Sequence, residues 1–168
     1  MEPTPRWLTP EERRAWLAYV EFSTHLADHL NRQLRRDAGM THTDYVLLAI
    51  LSESPDRKLT MSELAERLRI TRSRLTHAVT RLQESGYVDR EDCPHNRRTQ
   101  LAVLTPDGMR LLEQVAPGHV EAVRQAVFDA LTPDQVTQLA EIGEAVNTAL
   151  HRIDADSDHD RTLPWRRR

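Results

Sequence analysis

The chain is poor in cysteine, lysine, glycine and aromatic residues, and it has no long apolar run. A single cysteine, Cys93, leaves no internal disulfide and no Cys-rich zinc site to build. The absence of any 18-residue apolar stretch predicts no membrane span. The first ten residues lack the apolar core of a secretory signal, so the expected location is cytoplasmic. There is no Gly-rich phosphate loop, no Gly-x-Ser-x-Gly elbow and no convincing pair of carboxylates, which argues against an enzyme and against a cofactor. Lys58 is the sole lysine, so arginine carries the cationic chemistry; arginine suits bidentate contacts, although genome composition produces the same bias. The formal net charge of −3 means that any nucleic-acid binding must come from local clustering. What remains, 168 residues with 39% hydrophobic and 29% charged, is an ordinary globular composition for one domain or one and a half.

Helix starts are written clearly. Thr9-Pro10-Glu11-Glu12 supplies a cap, a proline at the first helical position and a glutamate for a capping box; Thr132-Pro133-Asp134-Gln135 repeats it. Thr105-Pro106-Asp107 has cap and proline, and Thr60-Met61-Ser62-Glu63 has the box without proline. The pattern predicts helices over about 10–36, 43–52, 61–68, 72–84, 106–130 (kinked at Pro117-Gly118) and 133–153. Gly86-Tyr87-Val88 and Leu101–Leu104 read as strands of a hairpin around a loop at Asp92–Arg98. The segment 154–168 has no apolar period and reads as a mobile tail.

The functional signal lies between Leu59 and Thr105. A short helix buries Leu64, Ala65 and Leu68, a tight turn follows, and Thr71 caps a second helix whose Leu75, Ala78, Val79 and Leu82 share one face. The opposite face then holds Ser73, Thr76, His77, Thr80 and Arg81, flanked by Arg72 and Arg74. Such a pair is a helix-turn-helix, and its second helix fits a major groove, where Arg, Ser and Thr reach base edges. From Arg67 to Arg98 there are eight arginines against four acids, a local +4 in a chain of net −3, as a phosphate-binding surface needs.

Met61–Leu68, Thr71–Thr76, Arg81–Val88, Asn96-Arg97-Arg98 and Leu104–Gly108 together resemble the MarR family of winged-helix transcription regulators. The resemblance implies a mainly α fold with a small β-hairpin wing: a winged helix-turn-helix lobe (41–105) on a helical dimerisation domain (10–40 and 106–153). It implies a homodimer on double-stranded DNA carrying a pseudo-palindromic operator. The half-site centres then lie about one helical turn, roughly 10 bp, apart. By the same resemblance Arg98, next to Arg97, enters the minor groove from the wing. The family's aspartate that holds this arginine is replaced here by Asn96, which weakens that bond unless Asp92 substitutes.

Family members release DNA when a small phenolic or carboxylated effector binds between the helices and the lobe. Trp16, His25, His29, Asp44 and Tyr45 are the candidate pocket residues here. His25 and His29 lie one helical turn apart, but no third ligand joins them, so no metal is expected. Thiol-sensing members carry their cysteine in the first helix, which has none here; oxidation of Cys93 at the wing is the alternative redox reading. A winged-helix protein-interaction module without DNA binding is the other alternative, disfavoured by the arginine-bearing face of the second short helix.

Overall fold

The computed structural model describes the backbone of residues 5–93 and 96–161, with side chains for all of these except 96–98 and 155–161. Six helices and three short strands appear in the order α1 (Pro10–Ala38), α2 (His42–Glu53), β1 (Lys58–Thr60), α3 (Met61–Arg67), α4 (Arg72–Glu84), β2 (Val88–Cys93), β3 (Asn96–Leu104), α5 (Pro106–Ala126) and α6 (Pro133–Arg161). The predicted caps do form. Thr9, Thr60 and Thr132 make reciprocal capping boxes with Glu12, Glu63 and Gln135, and the Thr71 hydroxyl accepts from the Arg74 amide. Each contributes about 1 kcal/mol by satisfying amides that a helix start leaves open. A fourth box, Thr41 with Asp44, escaped the sequence reading. Gly39 closes α1 in the left-handed region at φ 65°.

The described residues up to Val123 form one compact unit and those from Arg124 on another. In the first, Leu34 of α1, Leu47, Leu48 and Leu51 of α2, Leu64 of α3, Leu75 and Val79 of α4 and Val88 of β2 are fully buried in a common core. Each fully buried aliphatic chain is worth about 1.5–3 kcal/mol, so this core fixes the bearing of α3 and α4. The strands make one antiparallel sheet in the order β1-β3-β2, with Leu59 opposite Ala102 and Arg90 opposite the same residue on the other side. In the second unit a single 3-10 turn, Phe128–Ala130, precedes α6.

Four expectations need correction. The hairpin starts later and reaches further out than expected: β2 begins at Val88 rather than Gly86, and strand pairing runs through most of the supposed loop, to Cys93 and from Asn96, where the charged run Asp89–Asp92 shows no apolar alternation. The sheet has a third strand, β1, too short to give a pattern. The fifth helix ends at Ala126 rather than near Ala130. The last helix runs on to Arg161, so residues 154–161 are helical and not a loose tail; 162–168 lie outside the described residues. Among the described residues no helix is long and apolar enough to cross a membrane.

Candidate nucleic-acid interface

The helix-turn-helix is built by α3, a turn at Leu68–Ile70 and α4. Arg69 sits in that turn with φ 51°, and the Ile70 amide closes it on the Ala65 carbonyl at 3.1 Å. Leu75, Ala78, Val79 and Leu82 are buried, as their spacing requires. The other side of α4 faces solvent: Arg72, Ser73, Arg74, Thr76, His77 and Arg81 are all exposed. The first turn of α4 is electrostatically unusual. The other five helices each open with an acidic residue in their first turn, which favours the positive end of the helix dipole. Helix α4 has no acid there and carries Arg72 and Arg74 instead. That choice costs a few tenths of a kcal/mol and concentrates positive potential where a phosphate chain would pass.

Three polar residues of α4 are committed within the fold. Thr76 donates its hydroxyl to the Arg72 carbonyl at 2.9 Å. The Thr80 hydroxyl is half-buried and accepts from Arg90 Nη2 at 2.7 Å. The Arg81 guanidinium reaches Asp44 Oδ1 at 2.8 Å, so the helix-turn-helix is fastened to the start of α2. Arg81 remains half exposed while Asp44 is buried. Arg90 was not singled out from sequence; its role shows only once β2 lies beside α4. At the far end of the hairpin the backbones of Arg97 and Arg98 belong to β3, and their side chains lie outside the described residues, as does that of Asn96. Cys93 is a half-buried free thiol ending β2.

The candidate effector residues do not converge. Trp16 is 55% exposed and stacks on Tyr19, and His25 and His29 are exposed along the same helix. Asp44 closes the capping box of α2, accepting from the amide and hydroxyl of the cap Thr41, and is the partner of Arg81. Tyr45 alone lies in a polar cluster, with residues that the sequence reading missed: its ring is 4.2 Å from that of His119, which is 5.6 Å from His42. Gln33 donates its amide N–H to Asp37 Oδ2 at 2.8 Å, which turns its oxygen toward His119 Nδ1 at 3.2 Å. His119 therefore carries its proton on Nδ1 and leaves Nε2 with a lone pair. Burial holds both histidines below the ordinary range, and the neighbouring His42 lowers His119 further; burial raises the Tyr45 phenol. Among the described residues no three His, Cys, Asp or Glu side chains form a metal site.

This arrangement has close parallels. The family model described as MarR family matches residues 38–99. Sco3205 of Streptomyces coelicolor, a MarR family transcriptional regulator solved in complex with DNA, is 56% identical with a TM-score of 0.84, covering 89% of this chain and 93% of that one. AbsC, a MarR family transcriptional regulator of the same organism, is 37% identical with a TM-score of 0.81, covering 88% and 99%. The HTH-type transcriptional regulator PapX of Escherichia coli is 35% identical over 77 residues, 46% of this chain; the match spans about half, 47%, of PapX.

Proposed function

The chain belongs to the MarR family of transcriptional regulators, and we propose on that footing that it is a homodimeric, sequence-specific DNA-binding protein that represses transcription until a small molecule releases it. The observation that carries the reading is the solvent face of α4: Ser73, Arg74, Thr76 and His77 stand exposed over a buried apolar stripe, behind a first turn that holds arginine where the other helices hold acid. That surface has hydrogen-bonding groups for base edges and charge for phosphates. The DNA complex of Sco3205 supports the same assignment at 56% identity.

In this reading Arg72 and Arg74 meet the phosphate chain, and Ser73, Thr76 and His77 meet the bases. Arg81 stays at the edge, anchored on Asp44. Arg97 and Arg98 at the wing reach the minor groove. Two features favour dimerisation through the helices outside the lobe. Trp16, Leu17, Tyr19, Val20 and Phe22 of α1 are 39–55% exposed, and Leu139, Ile142, Val146, Leu150 and Ile153 form a 3–4-spaced face of α6 that is 38–62% exposed. Apolar faces of that extent mark an interaction surface, and a two-fold partner of the same sequence covers both. The cluster of Gln33, His42, Tyr45 and His119, joining α1, α2 and α5, supports an effector site. It has aromatic walls and an acceptor nitrogen suited to a phenolic or carboxylic acid hydroxyl.

Selection of genomic fragments by the purified protein tests the proposal. The expected product is a pseudo-palindrome with half-site centres roughly 10 bp apart. Recovery of fragments sharing no motif would remove the sequence-specific reading.

A further inference from the structure

Arg90 is the residue that links the wing to the helix-turn-helix. It projects from β2, opposite Ala102, and is half-buried. Its Nη2 donates to Thr80 Oγ1 at 2.7 Å and to the Thr76 carbonyl at 3.3 Å, one turn apart on α4. Among the described residues its buried Nε has no hydrogen-bond partner. The space around it is not filled: a cavity of about 340 Å³ lies between the parts, lined by Met61 and Ser62 of α3, Arg72, Leu75 and Thr76 of α4, and Arg90, Thr99 and Gln100 of the hairpin.

These facts belong together. Where side chains interdigitate, packing alone sets the rotation of a helix about its axis. The buried face of α4 sets its rotation coarsely; toward the hairpin the packing gives way to an open cleft, so the fine adjustment there rests on directional bonds. A guanidinium is rigid and planar, and one nitrogen shared between the Thr80 hydroxyl and the Thr76 carbonyl ties the hairpin to that turn of α4. From this geometry we infer that Arg90 is a positioning residue: through Thr80 and Thr76 it sets the roll of α4 against the hairpin, so that the α4 stripe and the wing address neighbouring grooves in fixed register. The inference deepens the proposed DNA-binding function and rests on it. It also takes Thr80 from the set of base readers and makes it the acceptor of the brace.

The test uses the full chain and two probes: duplexes that the wild-type protein selects from a random-centre library, and the unselected random duplex. Arg90→Ala and Thr80→Val (which removes the hydroxyl at nearly constant shape) each lower the selected-to-random affinity ratio roughly tenfold, as loss of a charge-assisted bond does. Both retain the wild-type consensus and the wild-type salt slope. The double variant is no worse than Arg90→Ala, because both changes cut the same bond. Several results overturn the inference. An altered consensus for Thr80→Val makes Thr80 a base reader. A salt slope reduced by about one for Arg90→Ala makes Arg90 a phosphate ligand. Additive losses, or undiminished ratios in both variants, remove the brace. Should Arg90→Ala fail to fold, Thr80→Val and Arg90→Lys decide alone: the lysine keeps the charge without the fork, and a wild-type ratio in both is contradictory. If the wild-type protein selects no sequence, the inference falls with the function it serves; if it selects and the variants match it, the inference alone falls.

Discussion

Single residues carry constraints that the sequence motif shows without explaining. Gly108 follows the cap of α5, and a Cβ there would lie 2.2 Å from the Tyr87 carbonyl oxygen. That oxygen also accepts from the Thr105 amide at 3.2 Å, while the Thr105 hydroxyl donates to the Gly86 carbonyl at 2.8 Å. The start of α5 is thus strapped to the turn between α4 and β2, with no room for a methyl group. Gly108→Ala therefore destabilises the protein by about 1–3 kcal/mol, read as a lower urea midpoint at unchanged slope. The buried His119 and the half-buried His42 make a second residue-scale prediction. Both have folded pKa values below the ordinary 6.5. A base lowered in this way binds protons more readily when unfolded, so its contribution is complete above the unfolded value and is lost as pH falls through the folded one. The lowered carboxylates, Glu63 at its cap and Asp37 beside Gln33, follow the same sign in a more acidic window, below the usual carboxylate range. The thermal midpoint is accordingly level above about pH 7 and declines as the pH falls below about 6.5. His119→Gln, which cannot titrate, reduces that decline; a midpoint rising on acidification would contradict the assignment.

At the level of elements, the chain was legible where a local rule decides the outcome. Capping threonines named every helix start but that of α2 because the cap is a contact over three residues, and the apolar face of α4 was read from a spacing that tertiary structure left intact. The arginine-bearing first turn of α4 was visible for the same reason, as a break in a rule that the other helices keep. What stayed hidden depends on contacts between distant segments. Arg90 bonds to Thr80 across the helix-to-strand turn; Gln33 and His119 are 86 residues apart. Asp44 was readable as a first-turn acid, but its pairing with Arg81, 37 residues on, was not. Strand β1 and the outer hairpin give no apolar period, the first because it has three residues and the second because Asp89–Asp92 is a charged run. The exposed middle of α4 remains the part most open to test. His77→Ala changes which bases are preferred at one position of each half-site, by about 1–3 kcal/mol of discrimination, with little effect on binding to random duplex. A selection profile identical to wild type would take His77 out of the reading face.

For the whole molecule, the apolar faces of α1 and α6 are the largest unresolved demand of a single chain. Burial of that surface against a second copy predicts a dimer at micromolar concentration. Ile142, 62% exposed in one chain, then sits in a subunit interface. Ile142→Glu places a charge there and weakens the dimer roughly thirtyfold or more, seen by sedimentation as a shift toward monomer with the circular dichroism of the lobe retained. Because two lobes must be held at one spacing to read a palindrome, the same variant loses most of its operator affinity. An unchanged sedimentation profile would move the interface elsewhere.

The central claim is that the arginine-led, solvent-facing side of α4 lies against duplex DNA. Fluorescence anisotropy of the purified protein on a labelled, wild-type-selected duplex, repeated from about 50 to 200 mM salt, tests it most directly. The account predicts tight binding at low salt with a steep linear decline of log affinity against log salt, and a shallower line for the Arg72→Ala/Arg74→Ala variant, by about two phosphate contacts. Binding that ignores salt, or a double variant whose line coincides with wild type, would contradict it.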